Sequence, residues 1–366
     1  MPTSMTPKER WLAAIHLQEV DRLPFWPKLD GSYPRAQKSP FNNMPNPVIH
    51  DWIGSDQHIG IPGCIKEVRT STSVEITREA NLMRTEYRTP RAQTQMIQLF
   101  DEDSQAWHPV EHPVKTLDDI HLMTEIYEDV AVELDPDQFQ QSKDKAAEIG
   151  QHALTTNGIG KSPLMHWVEF LAGIENAHYL LNDHQNAVET LFAAMHRDML
   201  DRARLIAEHS PADVLYLVEN TSTTLTSPQQ YLDFCYPHIA DYAAITDEYD
   251  RNLVLHMCGH LKALLPHLAK LRARAFEAFT SPTLGNTTLL DGRSQCADKC
   301  LIGGTNAMLW TNSADVIIAR IEKDLDCLPH HRGIVVTSAG VMTPLCAPET
   351  IKEVCEWVKT YPARMN

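Results

Sequence analysis

The chain has 366 residues, enough for one large α/β barrel or for two smaller domains. Its 48 acidic residues against 32 basic ones give a formal net charge of -16, and no Lys/Arg cluster stands out, which argues against a nucleic-acid or anionic-membrane partner. No apolar run is long enough to cross a membrane; MPTSMTPKERWLAAI lacks the apolar stretch and cleavage site of a signal peptide, so a cytoplasmic protein is expected, with its eight scattered cysteines reduced.

In chain order, a helix is predicted over residues 7–17, with Thr6 as its cap and Pro7 in its first turn. RLPFWPKLD (22–30) follows as a short strand ending in Lys28 and Asp30, and QHIGI (57–61) as a second. Residues 62–115 are rich in Val, Thr, Ile and Tyr and broken by polar turns, which predicts a β-hairpin insertion in the N-terminal third. Strand then alternates with helix: ALTTNGIG (153–160) before helical stretches over 163–209; DVLYLV (213–218) before a helix from Ser227; NLVLH (252–256) before 260–272. RAFEAF (274–279), CLIGG (300–304) and GIVVTSAG (333–340) precede helices near 288–297, 313–326 and 348–360. Eight short apolar strands alternating with helices predict a single domain folded as a parallel (β/α)8 TIM-type barrel. An open doubly wound sheet is the alternative, but no Gly-rich phosphate fingerprint supports it.

Active sites of such barrels lie at the C-terminal ends of the strands. The residues just after each apolar run therefore matter: Lys28 and Asp30, Asn157, Glu219 and Asn220, His256 and Cys258, Glu277 and Thr280, Asn306, and the loop from Ser338 to Cys346. In LVLHMCGHLKALLPHL (253–268), His256 and Cys258 are two apart on a strand and so share one face. An imidazole and a thiol side by side suit a soft metal ion such as zinc; a packed core pair is the plainer reading. Glu277 sits within an apolar run, where an unpaired charge is costly, so a cation should stand beside it. Cys296 and Cys300 are one helical turn apart and read as structural. Trp26, Tyr33 and Trp310 either wall a pocket or pack the core.

ERWLAAIHLQEVDRLPFWP near the N-terminus, SPLMHWVEFLAGIENAHYLLND (162–183), TSPQQYLDFCYPHI (226–239) and APETIKEV near the C-terminus resemble the uroporphyrinogen decarboxylase superfamily of (β/α)8 barrels. HMCG (256–259) is similar to the H-x-C of the branch related to methylcobamide:thiol methyltransferases, and an arginine-bearing decarboxylase motif is not evident near Lys28 and Asp30. That resemblance implies methyl transfer between a small methylated substrate or a thiol- or folate-type acceptor and a corrinoid, with zinc on His256 and Cys258. The branch's last cysteine ligand falls at Gly340 here, so Cys346, Glu277 and Glu219 become the candidates for the remaining positions. Glu219, Asn220, Lys28 and Asp30 are the candidate catalytic groups. No corrinoid-binding segment is visible, so the cobamide is expected free or on a separate corrinoid protein; a homodimer is compatible with this reading. The rivals are a metal-independent decarboxylase and a ligand-binding barrel without catalysis.

Overall fold

Eight parallel strands form one sheet in the computed structural model, which describes residues 4–366; the first three residues of the N-terminal segment read for targeting lie outside the described residues. In chain order the fourteen strands are β1 Phe25–Trp26, β2 His58–Gly60, β3 Ile65–Val68, β4 Ser73–Glu79, β5 Leu82–Arg88, β6 Gln93–Asp101 and β7 Ala106–Glu111. They continue as β8 Ala131–Leu134, β9 Leu154–Gly160, β10 Val214–Val218, β11 Asn252–His256, β12 Ala275–Phe279, β13 Cys300–Gly304 and β14 Ile334–Thr337. The barrel order is β1-β14-β13-β12-β11-β10-β9-β2, as the strand–helix alternation predicts. β1 is only two residues long because Pro24 and Pro27 flank it and lack the N–H a ladder needs. The gap between β1 and β2 closes through Asp56: its N–H donates to the Phe25 carbonyl at 2.8 Å, and its buried carboxylate accepts from the Phe25 N–H and from Arg10 and Arg22.

The period-2 alternation of the strands sorts their side chains cleanly. Val214 and Tyr216, Val254, Ala275, Cys300 and Ile302, and Val335 belong to the cluster that fills the lumen. Their neighbours Leu215, Leu217, Leu253, Leu255, Phe276, Leu301, Ile334 and Val336 belong to the outer core under the helices. The first helix, Pro7–Ile15, is capped by Thr6 in a reciprocal box with Glu9, and its Trp11, Ala14 and Ile15 join the lumen cluster.

The insertion is larger than the expected 62–115. β4 to β7 form an antiparallel meander, and β3 pairs with β8 beyond the helix Leu117–Glu128. One helix expectation needs correction. The stretch 260–272 contains only the four-residue helix Leu265–Leu268, because the His260 and Lys262 N–H groups donate to the Ser222 and Asn286 side chains instead of starting a turn. The helical stretches expected over 163–209 are Pro163–His166, a π-turn Trp167–Leu171, Ile174–Asp183 and Gln185–His209. Gly173 makes the break at φ +77, where any Cβ would meet the His112 ring at 2.8 Å. Among the described residues no helix is long and apolar enough to cross a membrane.

Candidate active site at the barrel mouth

Strand register builds the site. His256 of β11 stands directly beside Glu277 of β12, and both share the lumen-facing parity of Val254 and Ala275. Lys28 lies two residues beyond lumen-facing Trp26, so it reaches the same space from β1. Its ammonium donates to Glu277 Oε1 at 2.9 Å and lies 3.4 Å from His256 Nδ1, while Glu277 Oε2 pairs with His256 Nδ1. The cation expected beside Glu277 is therefore double: Lys28 and His256.

The electrostatics follow from that triad. Burial alone would push the Glu277 carboxyl up, but Lys28 and His256 outweigh it and hold it at about 2. Burial disfavours the imidazolium of His256, yet the Glu277 charge and a hydrogen bond with Cys258 outweigh it and raise the pKa. With Nδ1 committed to Glu277, Nε2 is the nitrogen left for a ligand. Cys258 Sγ lies 3.7 Å from Asn220 Oδ1, and Asn220 Nδ2 reaches Glu169 at 3.4 Å. Glu169 in turn holds Lys161. Asn220 departs from strand geometry at φ +50, which turns its side chain toward Cys258.

Lys28, Asn220, His256, Cys258 and Glu277 thus come together. Asp30, Glu219 and Cys346 do not join them. Asp30 Oδ1 accepts from Ser32 N–H, Ser32 Oγ and Tyr33 N–H, so it is tied up in the turn that leads into the short helix Ser32–Arg35. Glu219 has the outward parity of Leu215 and Leu217. It is fully buried on Ser162 N and Oγ, both at 2.5 Å, with Cys235 Sγ at 3.5 Å. Burial raises its pKa, although the Ser162 bonds oppose that. Cys346 directs its thiol at the Ala347 carbonyl, 3.8 Å away, and burial pushes it up to about 12. Its carbonyl accepts from Tyr33 Oη, and Tyr33 and Trp310 are wholly buried, so these aromatics pack the core and do not wall a pocket.

Among the described residues no three His, Cys, Asp or Glu side chains gather closely enough to hold a metal. Two donors of the kind zinc accepts do stand at the mouth, His256 Nε2 and Cys258 Sγ, with the Asn220 amide oxygen beside the thiol and Glu277 behind the imidazole. A metal-ligating histidine commonly donates its other N–H to a carboxylate in this way. Sequence reasoning missed Lys161 and Glu169. It also missed His58, whose ring stacks on Tyr216 in the lumen with both nitrogens unpartnered. The lumen parity of β2 could have revealed His58; the Lys161–Glu169 pair arises from loop geometry with no sequence signal.

A parallel eight-stranded barrel with a His–Glu–Lys triad and a thiol at its C-terminal mouth is the class that fold and site define. The chain belongs to the uroporphyrinogen decarboxylase (URO-D) family, whose model matches residues 110–361, more than half of its length. A methyltransferase from Methanosarcina mazei is similar in structure, with a TM-score of 0.60, 16% identity, and coverage of 98% of this chain and 100% of its own. At that identity the likeness is one of fold. A candidate vitamin-B12-independent methionine synthase from Listeria monocytogenes aligns with a TM-score of 0.35 and 14% identity, over 62% of this chain and 67% of its own. No curated protein sequence matches the chain.

Proposed function

We propose that the protein is a methyltransferase that binds zinc through His256 and Cys258 and exchanges a methyl group between a small molecule and a corrinoid carried by a separate protein. The observation that carries this reading is the commitment of His256 Nδ1 to buried Glu277, beside a thiol on the same lumen face. When bound, zinc would lower the pKa of an acceptor thiol or act as a Lewis acid at the heteroatom that carries the methyl group.

The chain's own groups have distinct tasks in this scheme. Glu277 fixes the imidazole tautomer and orientation. Lys28 balances the Glu277 charge, so the carboxylate stays ionised and does not compete for the imidazole proton. Asn220 orients Cys258 and, through Glu169, ties the site to Lys161. The family's decarboxylase reading would need several uncommitted basic groups at the mouth. Among the described residues Lys28 is the cation in contact with the His256–Glu277 pair, and Glu277 already neutralises it.

The test is methyl transfer in the zinc-loaded protein. Methylcob(III)alamin with a panel of thiols, and cob(I)alamin with small methyl ethers, should give turnover by wild type and none by Cys258→Ala. Turnover by Cys258→Ala equal to wild type, or release of CO2 from a porphyrinogen without methyl transfer, would overturn the reading.

A further inference from the structure

The inserted meander builds a chamber on the flank of the barrel, apart from the mouth. On β4, Val74, Ile76 and Arg78 share one face, and register sets them opposite Tyr87, Thr85 and Met83 of β5. That face, the helix Gln185–His209 and the C-terminal end of β9 enclose a cavity of about 600 Å3. Its volume falls within the range of about 300–1,000 Å3 typical of small-molecule sites. None of Lys28, Asn220, His256, Cys258 or Glu277 lines it.

The walls are graded. Met96, Ile126, Ile159 and Met195 are all buried and give an apolar interior, with the adaptable thioethers of Met83 and Met199 beside them. Ile76, 61% exposed, and Arg78, also exposed, mark the open side. The charge on these walls runs against that of the chain. The whole protein carries -16, yet Arg69, Arg78, Lys161 and Arg202 line the chamber against Glu67 and Asp198 alone. Three of the four cations are matched: Arg69 with Glu67, Arg202 with Glu67 and Asp198, and Lys161 with Glu169, which is not part of the lining. His166 adds no charge at neutral pH, because burial, with Lys161 and Arg202 beside it, holds it at about 4.

Arg78 is left over. Its side chain lies back across the sheet, with Nε 3.3 Å from Met83 Sδ and the guanidinium 5.8 Å from the centre of the Trp107 ring. Neither contact neutralises it, and among the described residues no carboxylate pairs with it. A guanidinium makes its strongest hydrogen bonds to carboxylates and similar oxyanions. An apolar interior with one unmatched guanidinium at its open side is complementary to an acid with an apolar body. A cationic guest would meet the surplus positive charge, and a neutral one would leave Arg78 unmatched.

We infer that this chamber binds an organic monoanion, its carboxylate or sulfonate on Arg78 and its apolar body among the buried Met and Ile side chains. The inference does not depend on methyl transfer or on the metal.

The probes are 1-anilinonaphthalene-8-sulfonate and N-phenyl-1-naphthylamine, the same rings without the sulfonate, in fluorescence titrations of the full chain. At physiological salt a charge acts over only about 8 Å, so a preference for the sulfonate reports a cation at the site itself. Wild type should bind the sulfonate at one site, at least about tenfold tighter than the amine. Decanoate should displace it and decyltrimethylammonium should not. Arg78→Glu should abolish the preference and leave the amine's affinity within about twofold of wild type, while Arg78→Lys should keep most of the preference. Ile76→Asp, which puts a carboxylate in the lining, should weaken the sulfonate at least about tenfold. Both positions are exposed on β4, so the fold should hold. Absence of saturable sulfonate binding by wild type, or equal affinity for the two probes, would overturn the inference. So would displacement by decyltrimethylammonium as effective as by decanoate, or an undiminished preference in Arg78→Glu. If Ile76→Asp does not fold, the preference measured in Arg78→Glu decides.

Discussion

Glu277→Gln should be the most informative substitution at the mouth. The wild-type carboxylate is 1% exposed and carries two cationic neighbours, Lys28 at 2.9 Å and His256. Removing its charge strands the Lys28 ammonium, which is 20% exposed. Breaking a fully buried pair costs about 3–5 kcal/mol, and the partial exposure of Lys28 brings the expected loss to about 2–3 kcal/mol. Across 366 residues the unfolding entropy is about 0.8 kcal/mol per degree, so the melting temperature should fall by about 3 °C. Urea denaturation and thermal melts measure both quantities. Lys28→Met, combined with Glu277→Gln, should recover part of the loss, since the stranded charge is then gone. Strict additivity of the two single losses, or a loss below about 0.5 kcal/mol for Glu277→Gln alone, would refute the energetic coupling of the triad.

Other consequences can be measured separately. Gly340→Cys places a third thiol where the resemblance puts the last zinc ligand, and a Cβ there meets nothing within 4 Å; zinc retention against a chelator should rise, and unchanged retention would count against that position. Cys346→Ala should leave zinc retention as in wild type, because that thiol is turned to the Ala347 carbonyl. Burial holds His50 at about 4, His58 at about 3 and His166 at about 4, all below the unfolded value near 6.5. The unfolded chain therefore binds more protons below pH 6.5, so stability is complete above that value and drains as pH falls toward 4. Each histidine should contribute a loss of about 1 kcal/mol between pH 7 and 5.5. His58→Leu breaks no hydrogen bond, so it should flatten this pH slope in denaturant titrations; an unchanged slope would contradict the assignment to His58.

The barrel was legible because alternation of short apolar strands and helices leaves few topologies, and each of the eight predicted strands is present, β1, β2 and β14 in shortened form. Period-2 parity was equally informative at the site, since it pairs His256 with Cys258. Applied to β10, the same rule turns Glu219 outward with Leu215 and Leu217, so its placement at the mouth was avoidable. Asp30 and Cys346 could not be read this way. Both lie in loops: Asp30 is held by a local turn with Ser32 and Tyr33, which the Asp-Gly-Ser run could have signalled, whereas Cys346 is fixed by a bond from Tyr33, 313 residues away in sequence. Glu277 was read from cost alone, and its partners came from strands 21 and 249 residues away in sequence.

X-ray absorption at the zinc edge, on wild-type protein purified without chelator, tests most directly whether His256 and Cys258 together hold zinc at the mouth. One zinc per chain with a single sulfur and a single imidazole in its first coordination sphere, lost in Cys258→Ala, is the expected result. A wild type without zinc, or a zinc spectrum unchanged in Cys258→Ala, would return His256 and Cys258 to core packing.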